Sequence, residues 1–127
     1  VAPREVERGT APARGAHGED LACRYLEQAG CRILARNYRS RGGEVDIVAR
    51  DGPTTAFVEV KERGSAGHGA GYEAVTSGKR NRIVAAARIY AATHGLSESP
   101  LRFDVISIDW GKGEPVIRHD KDAFAAS

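Results

Sequence analysis

The spacing of apolar and polar positions changes several times along the chain, and each change marks an element. Leu21, Ala22, Tyr25, Leu26 and Ala29 recur at helical intervals, which predicts a helix from about Ala16 to Ala29, stopped by Gly30. Three strand-like runs follow: Arg32 to Tyr38, Glu44 to Ala49 and Thr55 to Lys61. Gly42-Gly43 and Asp51-Gly52-Pro53 supply the turns between them, and such short connections favour an antiparallel meander. A second stripe, Ile83, Ala87, Tyr90 and Ala91, predicts a helix that Thr76 or Ser77 can cap and that ends by Gly95. Leu101 to Asp109 reads as a fourth strand and Pro115 to His119 as a short edge strand. The order is α-β-β-β-α-β, with that edge strand as a fifth. Residues 1–14 show no period and read as a flexible tail ahead of one domain spanning 15–127, while Ser65 to Gly71 reads as a mobile glycine-rich loop.

Inside this pattern some acids are out of place. Asp is depleted in strands, and buried Asp or Glu needs a partner. Yet Asp46 sits in the run Glu44-Val45-Asp46-Ile47-Val48-Ala49, and Glu59 sits in Ala56-Phe57-Val58-Glu59-Val60-Lys61. Strand alternation puts Val45, Ile47 and Ala49 on one face, and Glu44, Asp46 and Val48 on the other. It puts Phe57, Glu59 and Lys61 on a common face, with Glu59 and Lys61 roughly 6 to 7 Å apart. Pairing through the Asp51-Gly52-Pro53 turn brings Asp46 near Glu59. Two facing carboxylates become stable neighbours around a divalent cation or a cationic side chain. The cation can be magnesium or manganese; equally, the pair can be salt-bridged to Lys61 and Arg63. Glu19 falls on or beside the apolar face of the first helix, where it needs a partner or simply complements the helix start. Asp104, in an apolar strand, reads as a structural acid paired with a basic side chain.

Composition refines the picture modestly. At 127 residues the chain can bury roughly two-thirds of its unfolded surface, enough for a core without disulfides or zinc. The net charge of +2 does not itself announce a nucleic-acid partner, but no acid falls between Ala74 and Ser97, where Lys79, Arg80, Arg82 and Arg88 cluster. That segment is a solvated face or a contact for nucleic-acid phosphates. Cys23 and Cys31 lack metal-ligand spacing and read as free thiols of a cytoplasmic protein. No apolar run is long enough for a membrane span. His17, His68, His94 and His119 have no metal-like spacing and read as surface or loop residues.

Asp46, twelve residues, then Glu59-Val60-Lys61 resembles the PD-(D/E)XK nuclease motif, with Val45 in place of its proline. The wider set is Gly18-Glu19, Ala22, Tyr25-Leu26, Arg36-Asn37-Tyr38-Arg39, Gly43-Glu44-Val45-Asp46, Phe57-Val58-Glu59-Val60-Lys61, Ala74-Val75, Lys79 and Arg102-Phe103-Asp104-Val105. This ordered set resembles the YraN family of small bacterial proteins, which are similar to archaeal Holliday junction resolvases. The resemblance implies a restriction-endonuclease-like α/β fold with a central mixed sheet and flanking helices. It implies Asp46, Glu59 and Lys61 as catalytic residues. Metal ligands would be Asp46, Glu59, Glu19 and the Val60 carbonyl. Arg63, Lys79, Arg80 and Arg82 are the expected nucleic-acid contacts. The expected activity is magnesium- or manganese-dependent hydrolysis of phosphodiesters in structured or branched DNA, with a homodimer suited to a four-way junction. The alternatives are a catalytically inactive DNA-binding or assembly protein on the same fold, and a protein-interaction module.

Overall fold

A computed structural model describes residues 7–8, 16–64, 75–111 and 113–126. Its elements are β1 (Glu7–Arg8), α1 (Ala16–Gln28), β2 (Arg32–Ser40), β3 (Gly43–Asp51), β4 (Thr54–Arg63), α2 (Ser77–Thr93), β5 (Leu101–Asp109) and β6 (Val116–Asp120). The α-β-β-β-α-β order of the sequence is present, and the strand after it is β6. Of the N-terminal tail, Glu7 and Arg8 pair parallel to Ala35 and Arg36, and the rest lies outside the described residues. The glycine-rich loop from Ser65 also lies outside them.

The strands form one mixed sheet in the order β1-β2-β3-β4-β5-β6. β2, β3 and β4 make the antiparallel meander, β4 and β5 run parallel, and β6 returns antiparallel to β5. The parallel step requires a crossover, and α2 provides its helix. This is a restriction-endonuclease-like α/β fold.

Alternation along the strands produces two apolar faces, each covered by one helix. Ala22, Cys23 and Leu26 of α1 pack on Ile33, Ile47, Ala49, Ala56, Val58, Ile106 and Ile108. Ile83, Val84, Ala87 and Tyr90 of α2 pack on Ala35, Val45, Val48, Phe57, Phe103 and Val105. Tyr90 meets Tyr38 and Phe57 edge-on, at centroid distances of 5.1 and 5.9 Å. Both cysteines are buried and free, and burial pushes the Cys23 thiol up to about 11. Among the described residues no helix is long and apolar enough to cross a membrane.

One expected face assignment is corrected. Val45 packs with Val48 under α2, whereas Ile47 and Ala49 lie under α1. Strict alternation therefore fails across Asp46. Opposite it, Asn37 adopts φ 53°, a left-handed conformation within β2. Asn tolerates that conformation better than most residues, and the local kink turns Tyr38 and Val45 together towards α2.

A second correction concerns His119, whose side chain is only 4% exposed. Its Nε2 donates to Asp104 Oδ2 at 2.9 Å, and Tyr25 of α1 bonds its Nδ1 at 3.2 Å. Asp104, fully buried, also accepts two bonds from Arg102 at 2.9 and 3.0 Å and one from the Asp122 N–H at 3.0 Å. Burial works against its charge, but His119, Arg102 and the Asp122 amide outweigh it and hold the carboxyl down to about 2. A carboxyl held below its ordinary value of 3.8 stabilises the fold above that value and loses the contribution as pH falls through about 2. Urea titrations should show about 2 kcal/mol disappearing across this acid window, and Asp104→Asn should flatten that part of the pH profile. Gly43 makes a separate prediction. A Cβ there would overlap the Arg82 carbonyl of α2, so Gly43→Ala should cost about 2 kcal/mol or more in the same assay.

Candidate metal centre

The centre forms where β3 and β4 part. Their pairing runs from Asp51–Thr54 to Ile47–Val58 and stops there. The next residues inward are Asp46 and Glu59. Beyond the fork the Val60 N–H has no ladder acceptor on β3, and Asp46 Oδ2 takes it at 2.8 Å. The N–H and C=O of one strand residue point to the same side, so the Val60 carbonyl is aimed into the same fork.

Asp46 and Glu59 lie within hydrogen-bonding reach of each other. Burial, then the charge of Glu59, pushes the Asp46 carboxyl well above its ordinary 3.8, with Glu19 adding further repulsion. Glu59 is buried at the base of the fork, 4% exposed. Its Oε2 meets Lys79 Nζ at 2.9 Å, and Lys79 comes from the first turn of α2. Thr76 caps that helix by accepting the Lys79 N–H at 3.2 Å.

Glu19 is buried on α1 and tied to β2. Asn37 Nδ2 donates to its Oε1 at 2.9 Å, and Arg36 lies 3.5 Å away. Burial raises its carboxyl above the usual range, against the pull of Asn37 and Arg36. Lys61 is half-buried, by alternation on the face of Glu59, and in register with Ser107 of β5. The Ser107 hydroxyl is buried without a hydrogen-bond partner among the described residues.

The basic candidates divide. Lys79 reaches the acids. Arg82 is exposed on α2, one turn further on. Arg80 is committed elsewhere: its Nε donates to the Val75 carbonyl at 3.0 Å and its guanidinium lies 5.6 Å over the Phe124 ring. Arg63, half-buried at the end of β4, receives the Trp110 N–H on its carbonyl at 3.0 Å. Pattern reading missed Asn37 and Arg36 as holders of Glu19, and Lys79 as the partner of Glu59. The signal for all three lay in the ordered set of residues rather than in periodicity.

The donor chemistry fits a divalent cation. Two carboxylates converge with one main-chain carbonyl, among the described residues Lys79 and the Val60 amide offset their repulsion, and magnesium is typically held by one or two carboxylates plus waters. Among the described residues no group of three Asp, Glu, His or Cys side chains converges as a ready-made cage. Asp46→Asn keeps an acceptor for the Val60 amide and removes the repulsion. In metal-free buffer it should therefore raise the urea midpoint. The sign follows from the raised carboxyl: the gain is full above the folded value and vanishes below 3.8, where wild-type Asp46 is protonated in both states.

Residues 18–108 match the family described as "Uncharacterised protein family UPF0102". A UPF0102 protein of Rhodococcus jostii is 50% identical over 113 residues, covering 88% of this chain and 96% of that one. A UPF0102 protein of Geobacter sulfurreducens is 50% identical over 111 residues, 87% of each chain. One from Anaeromyxobacter dehalogenans is 47% identical over 112 residues, 88% of this chain and 84% of its own. With matches of this depth across most of its length, the chain belongs to the UPF0102 family, the group of the YraN proteins it resembles in sequence.

Proposed function

We propose that this protein is a metal-dependent nuclease of the PD-(D/E)XK type that hydrolyses phosphodiesters in structured or branched DNA. The observation that carries this reading is the juxtaposition of Asp46 and Glu59 at the β3–β4 fork, with Lys61 on the Glu59 face. Asp46, Glu59 and the Val60 carbonyl would hold magnesium or manganese, and Glu19 stands behind them on α1. The bound ion supplies Lewis-acid polarisation of the phosphate and lowers the pKa of a water. Lys61 offsets charge on the reacting phosphate and orients the attacking water. Arg63 and Arg82 hold the flanking backbone, which specifies position rather than sequence. A homodimer suits a four-way junction because such a junction has two equivalent strands to cut. A cytoplasmic setting agrees with two free, buried cysteines.

A second reading, a DNA-binding protein without catalysis, is favoured by one observation: a lysine rather than a third acid completes the surroundings of Glu59. Cleavage of a panel of duplex, single-strand, flap and four-way-junction DNA in magnesium or manganese separates the two. Asp46→Ala, Glu59→Ala and Lys61→Ala should each lower cleavage by at least about a hundredfold while leaving salt-sensitive DNA binding in place. Equal residual cleavage in wild type and all three variants would assign the activity to a contaminant.

A further inference from the structure

Lys79 occupies an unusual position for a cation. It lies in the first turn of α2, where the helix dipole disfavours positive charge, and no acid of that turn offsets it. Its compensation comes from across the fold: Nζ sits 2.9 Å from Glu59 Oε2. The two ends of this ion pair differ. The Glu59 side chain is 5% exposed, whereas the Lys79 side chain is 39% exposed. The acid is fixed in a strand, while the lysine hangs on a flexible four-carbon stem at the protein surface. Arg82, three residues on, is exposed on the neighbouring helix surface.

A divalent ion bound by Asp46 and Glu59 must claim the same carboxylate that Lys79 now holds. Two cations so close repel, and the partly exposed lysine can swing away on its stem while the buried acid stays fixed in its strand. We propose that Lys79 is a resident counter-ion that metal binding displaces, and that its released ammonium then joins Arg82 in gripping a nucleic-acid phosphate beside the acids. This inference rests on the metal-site reading above and adds to it a coupling: because metal frees a phosphate ligand, metal and nucleic acid each strengthen the binding of the other. In the absence of metal the same ion pair offsets the Glu59 charge beside Asp46 and keeps one phosphate contact withdrawn.

The test measures lysine reactivity rather than turnover. The full-length wild-type protein is reductively methylated for short times with and without saturating magnesium, in the absence of nucleic acid, and each lysine is quantified by mass spectrometry. Lys121, whose Nζ lies 3.9 Å from Asp51 Oδ2, serves as the internal reference. Methylation of Lys79 should rise at least threefold on magnesium binding while Lys121 stays constant. Calorimetry under the same conditions separates the two ways of failing. A magnesium isotherm with unchanged Lys79 reactivity overturns the displacement and leaves the metal site standing. No magnesium isotherm overturns the metal site, and the displacement with it. In a second arm, Lys79→Gln should bind magnesium several-fold more tightly and lose the magnesium-dependent gain in four-way-junction affinity, read with calcium in place of magnesium to suppress cleavage. A gain equal to that of wild type overturns the proposed delivery of Lys79 to phosphate.

Discussion

A buried main-chain N–H must find an acceptor, and at Val60 that acceptor is a side chain, Asp46 Oδ2, rather than the neighbouring strand. Much of the centre depends on this substitution. Because Asp46 completes the hydrogen bonding of β4, β3 is free to diverge after Ile47 without leaving an orphaned donor. The divergence opens the fork, aims the Val60 carbonyl into it and breaks the alternation that would have kept Val45 under α1. It also holds the Asp46 carboxyl beside that of Glu59, an arrangement that repulsion would otherwise scatter. The protein thus uses one hydrogen bond to make a strained pair of acids, and the strain is what gives a cation its purchase.

The acids of this chain fall into two groups by how they are compensated. Asp104 is surrounded by Arg102, His119 and the Asp122 amide, stays ionised to about 2, and ties β5 to β6 and, through Tyr25, to α1. Its charge is fully satisfied by the fold. Among the described residues, Asp46 and Glu59 share one lysine and one amide between them. The contrast separates a structural carboxylate from candidate ligands better than burial does, since Asp104 and Glu59 are both buried. Glu19 stands between the groups, partly satisfied by Asn37 and Arg36 and still close enough to raise Asp46.

Much of this was legible in the sequence. The meander, the two helices and the Leu101–Asp109 strand follow from apolar spacing and from turn residues, because both helices and most strands each bury one face. Thr76 was one of two marked caps and is the one used. The acids stood out because carboxylates are rare inside strands. What could not be read was anything fixed by contacts between distant segments. Alternation is a local rule, so it cannot foresee the slip at Asp46, which depends on the kink at Asn37 opposite. His119 looked like a surface residue because its burial arises from Asp104 and Tyr25, distant in sequence. Lys79 was marked as a phosphate contact because it belongs to a basic segment; its pairing with Glu59 is a product of how α2 lies on the sheet.

Trp110 follows β5 at the end of the sheet where Arg63 closes β4, and its indole Nε1 donates to Glu62 Oε1 at 2.8 Å. The Glu62 carboxylate in turn lies against Gly18, where a Cβ would collide with it, immediately before Glu19. The chain holds a single tryptophan. Its fluorescence is therefore an intrinsic optical signal from one defined place, the junction of α1 with the sheet, and a movement of the Glu19 end of that helix that shifts Glu62 alters the surroundings of the indole without an added label.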